Sequence, residues 1–348
     1  MTDKPDFSSR PGDNPGSPIV AWLLVAAVVV LAFAVVPGDL PVSQINPRAA
    51  VDSGQYETEF VTPLRRPVLD AKRVALGQQL FHDTRLSGNG TIACSTCHPL
   101  ADGGMDGRPT SIGINGAVGP INAPTVLNVA FNFVQFWDGR AATLEDQVDG
   151  PTHNPIEMGS DWKQIVEKLR TDDEIVAAFA EAFSDGLNEQ NIRSAIADFE
   201  RSLVTVNSRF DRFLKGDEQA LTTEEREGYE LFRGYGCVSC HQGVNLGGNM
   251  YQTMGAMGDY FADRGGEIST ADLGRFNVTG KDGDRHKFKV PGLRNVELTE
   301  PYFHDAGAET LKEAVITMAR YQLGRELPDE DTGKIIAFLR TLTGELPE

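Results

Sequence analysis

The chain has 348 residues, 40% of them hydrophobic and 24% charged, and carries a formal net charge of -18. That composition belongs to a folded protein of about two domains. The charge excludes nucleic acid as a partner, because phosphates demand a basic face; it suits a basic protein steered to an acidic surface.

Residues 1–18 form a polar tail rich in Pro, Gly, Ser and Asp, a composition that stays disordered. Ile19 to Val36 follow as 18 apolar residues without a charge. Such a run lies at the short end of the roughly 17–25 residues that span a bilayer. It reads either as a transmembrane anchor or as a signal segment cut after Ala32-Phe33-Ala34. The run exceeds the roughly 7–15 residues of a signal core. Lys4 and Arg10 are diluted by Asp3, Asp6 and Asp13, which also favours the anchor. Either way the rest is exported to the periplasm, tethered to the inner membrane by residues 19–36 if they are kept. Residues 37–62, with several prolines and little periodicity, read as a linker.

Beyond the linker the periodicity is helical and the strand signal slight. Helices are expected over 68–81, 161–183, 188–207, 310–322 and 329–342. Another opens at Thr222, where a capping residue precedes an acidic first turn. The pattern breaks between Arg209 and Leu221, around Gly216, and this divides the chain into domains at 63–208 and 209–348. The helices over 68–81 and from Thr222 share a weak repeat: Gly77, Leu80 and Phe81 in one, Gly228, Leu231 and Phe232 in the other.

The four cysteines fall in two close pairs, each followed by histidine: Cys94-Ser95-Thr96-Cys97-His98 and Cys237-Val238-Ser239-Cys240-His241. A disulfide framework would scatter its cysteines. Thiols three residues apart reach the two vinyl groups of one porphyrin, and the adjacent histidine comes under the iron. A single C-x-x-C could be a zinc half-site or a redox dithiol. Two C-x-x-C-H copies that use every cysteine of an exported chain point to two covalently bound haem c groups. The expected fold is mainly α: two cytochrome c-like domains, each around one haem. The second axial ligand is open on residue type alone. Met105, Met158 and His153 are available to the first haem, and Met250, Met254, Met257 and Met318 to the second, though most methionines fill cores.

Residues 63–344 resemble the bacterial di-haem cytochrome c peroxidase family, which also contains MauG. The resemblance is carried by FHDTRLSGNGTIACSTCH (81–98), PTSIG (109–113), GPINAPTVLN (119–128), QFWDGRAATLEDQ (135–147), PIEM (155–158), LRNVELTEPYFHDAG (293–307) and AVITMARYQLG (314–324). It implies reduction of hydrogen peroxide with electrons from a small cytochrome c or copper protein, and it admits a homodimer. The haem on His98 would be the peroxidatic site, with Gln147 and Glu157 in its pocket and Glu157 moving a proton between the peroxide oxygens. Trp137 would lie between the haems, and Met318 would be the sixth ligand of the haem on His241, which would make it the electron entry point. Asn122, Thr299 and Pro301 would supply oxygen ligands to a calcium ion. His304 matches a family histidine whose role is either functional or a structural hydrogen bond.

One departure matters. In many family members PTSIG is followed by a histidine that blocks the peroxidatic haem until the other haem is reduced. Here Ile114 stands in its place and Asn115 follows. Neither ligates iron well, so the first haem is expected to be open in every redox state. MauG-like members also lack that histidine, use a tyrosine on the second haem and oxidise a partner protein. Met318 favours the peroxidase, while Tyr321, one turn away, keeps a MauG-like oxidase as the alternative. A di-haem electron carrier without catalysis is the reading from another class, and an acid-lined open pocket argues against it.

Overall fold

The computed structural model describes residues 60–347. The expectations for 1–18, for 19–36 and for nearly all of 37–62 lie outside the described residues. Among the described residues no helix is long and apolar enough to cross a membrane.

The architecture is largely helical. In chain order the helices are α1 (Ala71–Phe81), α2 (Cys94–Cys97), α3 (Leu144–His153), α4 (Trp162–Leu169), α5 (Asp173–Ala182), α6 (Glu189–Ser202) and α7 (Arg209–Leu214). They continue with α8 (Thr223–Tyr235), α9 (Tyr260–Arg264), α10 (Phe276–Thr279), α11 (Leu311–Leu323) and α12 (Asp329–Arg340). Among the described residues the sheet is one short antiparallel pair, β1 (Tyr251–Thr253) and β2 (Lys287–Lys289), with Tyr251 opposite Lys289.

Two long-range helix pairs organise the core. α1 packs on α6, and α8 packs on α12. Both crossings are set by a glycine. A Cβ on Gly77 would lie 1.9 Å from the Ala195 carbonyl oxygen, and one on Gly228 would lie 1.9 Å from that of Lys334. Phe199 and Phe338, four residues further along the partner helices, flank the two contacts. The weak sequence repeat is therefore a repeat of packing: the glycine lets two backbones approach, and the phenylalanines close around the crossing. Around the first pair, Leu76, Leu80, Ile165, Ile192 and Ile196 are buried together; around the second, Phe210, Tyr229, Phe232, Ile335 and Phe338.

Two expectations about helix bounds are corrected. The helix expected over 161–183 is two, because the Asp172 carboxylate accepts from the N–H groups of Glu174 and Ile175 and starts a new helix there. That carboxylate also pairs with Arg85 at 2.9 Å, so the break is tied to the rest of the fold. The helix expected to reach 207 stops at Ser202. Asn128 draws the next residues into extended chain: its N–H donates to the Leu203 carbonyl, and its side chain bonds the Thr205 N–H and hydroxyl. The boundary segment 209–221 is helical up to Leu214 before Gly216 ends the pattern. Asp211 on this helix forms a fully buried ion pair with Arg294 at 2.9 Å.

Gly77→Ala and Gly228→Ala should each lower the thermal midpoint by the equivalent of about 1–3 kcal/mol, the usual cost of overpacking a core. Gly234→Ala is the control. It sits within α8 with nothing within 4 Å of an added Cβ, and should be neutral or slightly stabilising. Thermal denaturation of the three variants checks this; equal midpoints would disprove the role of the glycines.

Candidate functional site

The short helix α2 presents Cys94 and Cys97, and His98 follows as its C-cap. Thr96 closes the turn by accepting from the Ala93 N–H at 3.0 Å. His98 Nδ1 lies 3.0 Å from the Gly104 carbonyl oxygen. A carbonyl only accepts, so Nδ1 carries the proton and Nε2 is left as a free lone pair. Gly103 and Gly104 have φ of 80° and 73°, a left-handed turn that aims the carbonyl back at the ring. The second motif repeats the device, with His241 Nδ1 3.1 Å from the Leu246 carbonyl oxygen. Burial lowers the pKa of both imidazoles, so both are held neutral with Nε2 available to a metal. This hydrogen-bonded arrangement is the usual support of a ligating histidine.

Cys94, Cys97 and His98 line a large cavity together with Gln147, Glu157, Trp137 and Asn122. Its empty space is about 1390 Å³, including the open mouth. Burial pushes the Cys94 thiol up to about 12 and the Cys237 thiol to about 11. Such thiols are not the reactive thiolates of a redox dithiol. The wall also holds buried polar atoms that have no hydrogen-bond partner: Gln147 Oε1 and Glu200 Oε2. Unpaired buried atoms cost about 1–3 kcal/mol each. A cavity lined by two thiols, an imidazole with a free Nε2 and buried polar atoms without partners fits a haem.

Gln147 comes from α3, and Glu157 from the loop after it. Asn154 donates to Glu157 Oε1 at 2.6 Å and holds the carboxylate in place. Burial raises its pKa, opposed by that hydrogen bond and by the charge of Arg140. Ile114 supports the same loop through its N–H, which donates to the Glu157 carbonyl at 2.8 Å. Its buried side chain rests on Gly159 and is not among the residues lining the cavity. Asn115 is exposed in a left-handed turn and accepts from Asn89. Met105 and His153 do not line the cavity; Met158 does, while packing in the first core.

On the other side, Trp137 Nε1 donates to the Asn122 carbonyl at 2.9 Å. The Asn122 N–H donates to the His304 carbonyl, which ties it to the loop after Thr299 and Pro301. The Thr299 hydroxyl donates to the Val296 carbonyl within its own turn. His304 is buried and bonds Asp272 at 2.9 Å, with its ring edge-on to Trp137 at 6.5 Å. Asp272, His304 and Asp305 converge as metal ligands could. Arg264 already bridges the two carboxylates at 2.7 Å to each, so this is a structural ion-pair network. Met318 is half-buried on α11. Tyr321, three residues on, donates its hydroxyl to Asp263 at 2.9 Å.

Two wall residues escape a reading of the sequence, Glu200 and Lys289. Glu200 follows Ile192 and Ile196 at four-residue steps, and a carboxylate on an apolar stripe was a usable signal. Burial pushes its carboxyl up to about 8. Lys289 gave no signal, because it shares a strand face with Lys287, an ordinary lysine paired with Asp284 at 3.2 Å.

A family model described as di-haem cytochrome c peroxidase matches residues 71–219. The cytochrome c551 peroxidase of Nitrosomonas europaea is 49% identical over 280 residues, 80% of this chain and 82% of that protein. The chain belongs to the di-haem cytochrome c peroxidase family. The cytochrome c peroxidase Ccp of Escherichia coli is 51% identical over 292 residues, 83% of this chain; the match spans 62% of that longer relative. The solved structure of a MauG-like protein associated with microbial copper homeostasis matches with a TM-score of 0.73 at 32% identity, covering 82% of this chain and 94% of that one. Membership in this peroxidase family implies two haem cofactors.

If the Glu157 carboxylate is the proton-moving group, activity should fall as pH drops through a value above the ordinary carboxylate pKa of about 4.3. Only the deprotonated form accepts the first proton. Glu157→Gln should lower turnover by about 10²–10⁴-fold and abolish that acid limb while leaving haem content intact. A pH profile of kcat/KM for both proteins decides; an unchanged limb in the variant would clear Glu157 of the role.

Proposed function

We propose that this chain is a periplasmic peroxidase that reduces hydrogen peroxide to water with two electrons and two protons, the electrons coming one at a time from a small cytochrome c or copper protein. Cys94 and Cys97 hold one haem by thioether links and Cys237 and Cys240 the other, with His98 and His241 as the proximal ligands. The haem on His98 supplies an open iron position for peroxide, and the haem on His241, closed by Met318, supplies a higher-potential electron store. In this reading residues 63–208 form the peroxidatic domain and 209–348 the electron-entry domain. Residues 19–36 tether the chain to the inner membrane, Asn122, Thr299 and Pro301 hold a calcium ion, and two copies form a homodimer. The net charge of -18 suits a donor with a basic rim.

The observation that carries the reading is the wall of the cavity. Glu157, held by Asn154, and Gln147, with its carbonyl unpartnered, both line the cavity that His98 lines. A pure electron carrier gains nothing from such groups. Glu157 takes the proton from one peroxide oxygen and gives it to the other, which lets that oxygen leave as water. Gln147 has a free acceptor with which to orient peroxide or the departing water. Trp137, fixed by its indole N–H, offers a path for electrons toward the cavity. Tyr321 is engaged by Asp263, which counts against a tyrosine-ligated, MauG-like second site.

The test is peroxide-dependent oxidation of a reduced small cytochrome c by the holo-protein, started fully oxidised. Turnover without a lag is expected, because Ile114 leaves the peroxide site open. A lag removed by pre-reduction would contradict the open site. No turnover, with haem spectra that still respond to peroxide, would contradict the peroxidase and favour oxidation of a partner protein.

A further inference from the structure

Lys289 is a residue of the cavity wall that the proposed chemistry does not use. It lies on β2, only 6% exposed, and lines the cavity alongside Trp137 and Asn122. Its backbone N–H donates to the Trp137 carbonyl at 2.8 Å. Among the described residues its ammonium makes no hydrogen bond and no ion pair. Burial alone lowers its pKa, to about 8, and no neighbouring charge acts on it. A buried cation without a counter-ion is costly, and such groups persist where something pairs with them.

The placement of the other charges says what that partner is. Glu200 acts on Cys94, and Glu157 acts on Cys97. Lys289 stands instead on β2, whose partner strand β1 carries Gln252 against Cys240 of the second motif at 3.8 Å. The acids therefore stand at the thiol end of the cavity, and the cation reaches it from the side of the second motif. A haem carries its two vinyl groups and its two propionates on opposite edges. Thioether links to Cys94 and Cys97 fix the vinyl edge at one end and send the carboxylates to the other. We propose that Lys289 is the counter-cation of a propionate of the haem seated on His98, anchoring its far edge and raising its reduction potential. The lysine also links that edge to Trp137 through the backbone bond. This inference rests on the haem reading above.

The test is Lys289→Met in the full holo-protein, with haem content by alkaline pyridine spectra and a potentiometric titration of each haem. Two haems per chain, a downward shift of the potential of the haem on His98, a smaller effect on the haem on His241, and recovery in Lys289→Arg are expected. Removing the positive charge favours the ferric state, hence the direction. Two haems with both potentials unmoved would overturn the inference. If Lys289→Met does not fold, Lys289→Gln, which can bond a carboxylate without charge, is read in the same way. A wild-type protein with no haem on the first motif would instead remove the haem reading, and this inference with it.

Discussion

The hydrogen bond from His98 Nδ1–H to the Gly104 carbonyl, and its counterpart from His241 to Leu246, constrain everything built around them. Each fixes one tautomer and one ring orientation, so Nε2 is the only nitrogen left to bind a metal. Each also explains its loop. Gly103 and Gly104 take the left-handed turn that aims the carbonyl, and the short helix before His98 holds the two thiols on the same wall. Two such units in one chain are what a two-haem protein requires.

The chemistry of the first cavity is set by groups left without partners. Gln147 Oε1 and Glu200 Oε2 are buried at a cost the fold does not recover from its own contacts, and Lys289 is a nearly buried cation whose charge is penalised by desolvation. Their placement around one cavity suits an occupant that carries polar groups of its own. Glu157 differs, because Asn154 holds it and burial tunes it, as befits a group that must both accept and release a proton.

How far the sequence could be read depended on the range of the interaction. Helices α1, α8, α11 and α12 were legible because their apolar periodicity is local, and α8 also because Thr222 caps it. The break at Asp172 and the early end at Ser202 were not, since Arg85 and Asn128 act from more than seventy residues away. The two C-x-x-C-H motifs could be read from spacing alone. Gln147, Glu157, Trp137 and Met318 could be singled out only by resemblance, because each is an ordinary residue in its local sequence. The Gly77 and Gly228 repeat was visible without its cause, which is the approach of two backbones. Lys289 was invisible because its burial comes from the cavity.

The central claim is that one haem site is open and the other closed. Electron paramagnetic resonance of the fully oxidised holo-protein tests it most directly. One high-spin ferric signal from the haem on His98 and one low-spin signal from the haem on His241 and Met318 are expected. Two low-spin signals would contradict the claim, since they would place a protein ligand where peroxide has to bind.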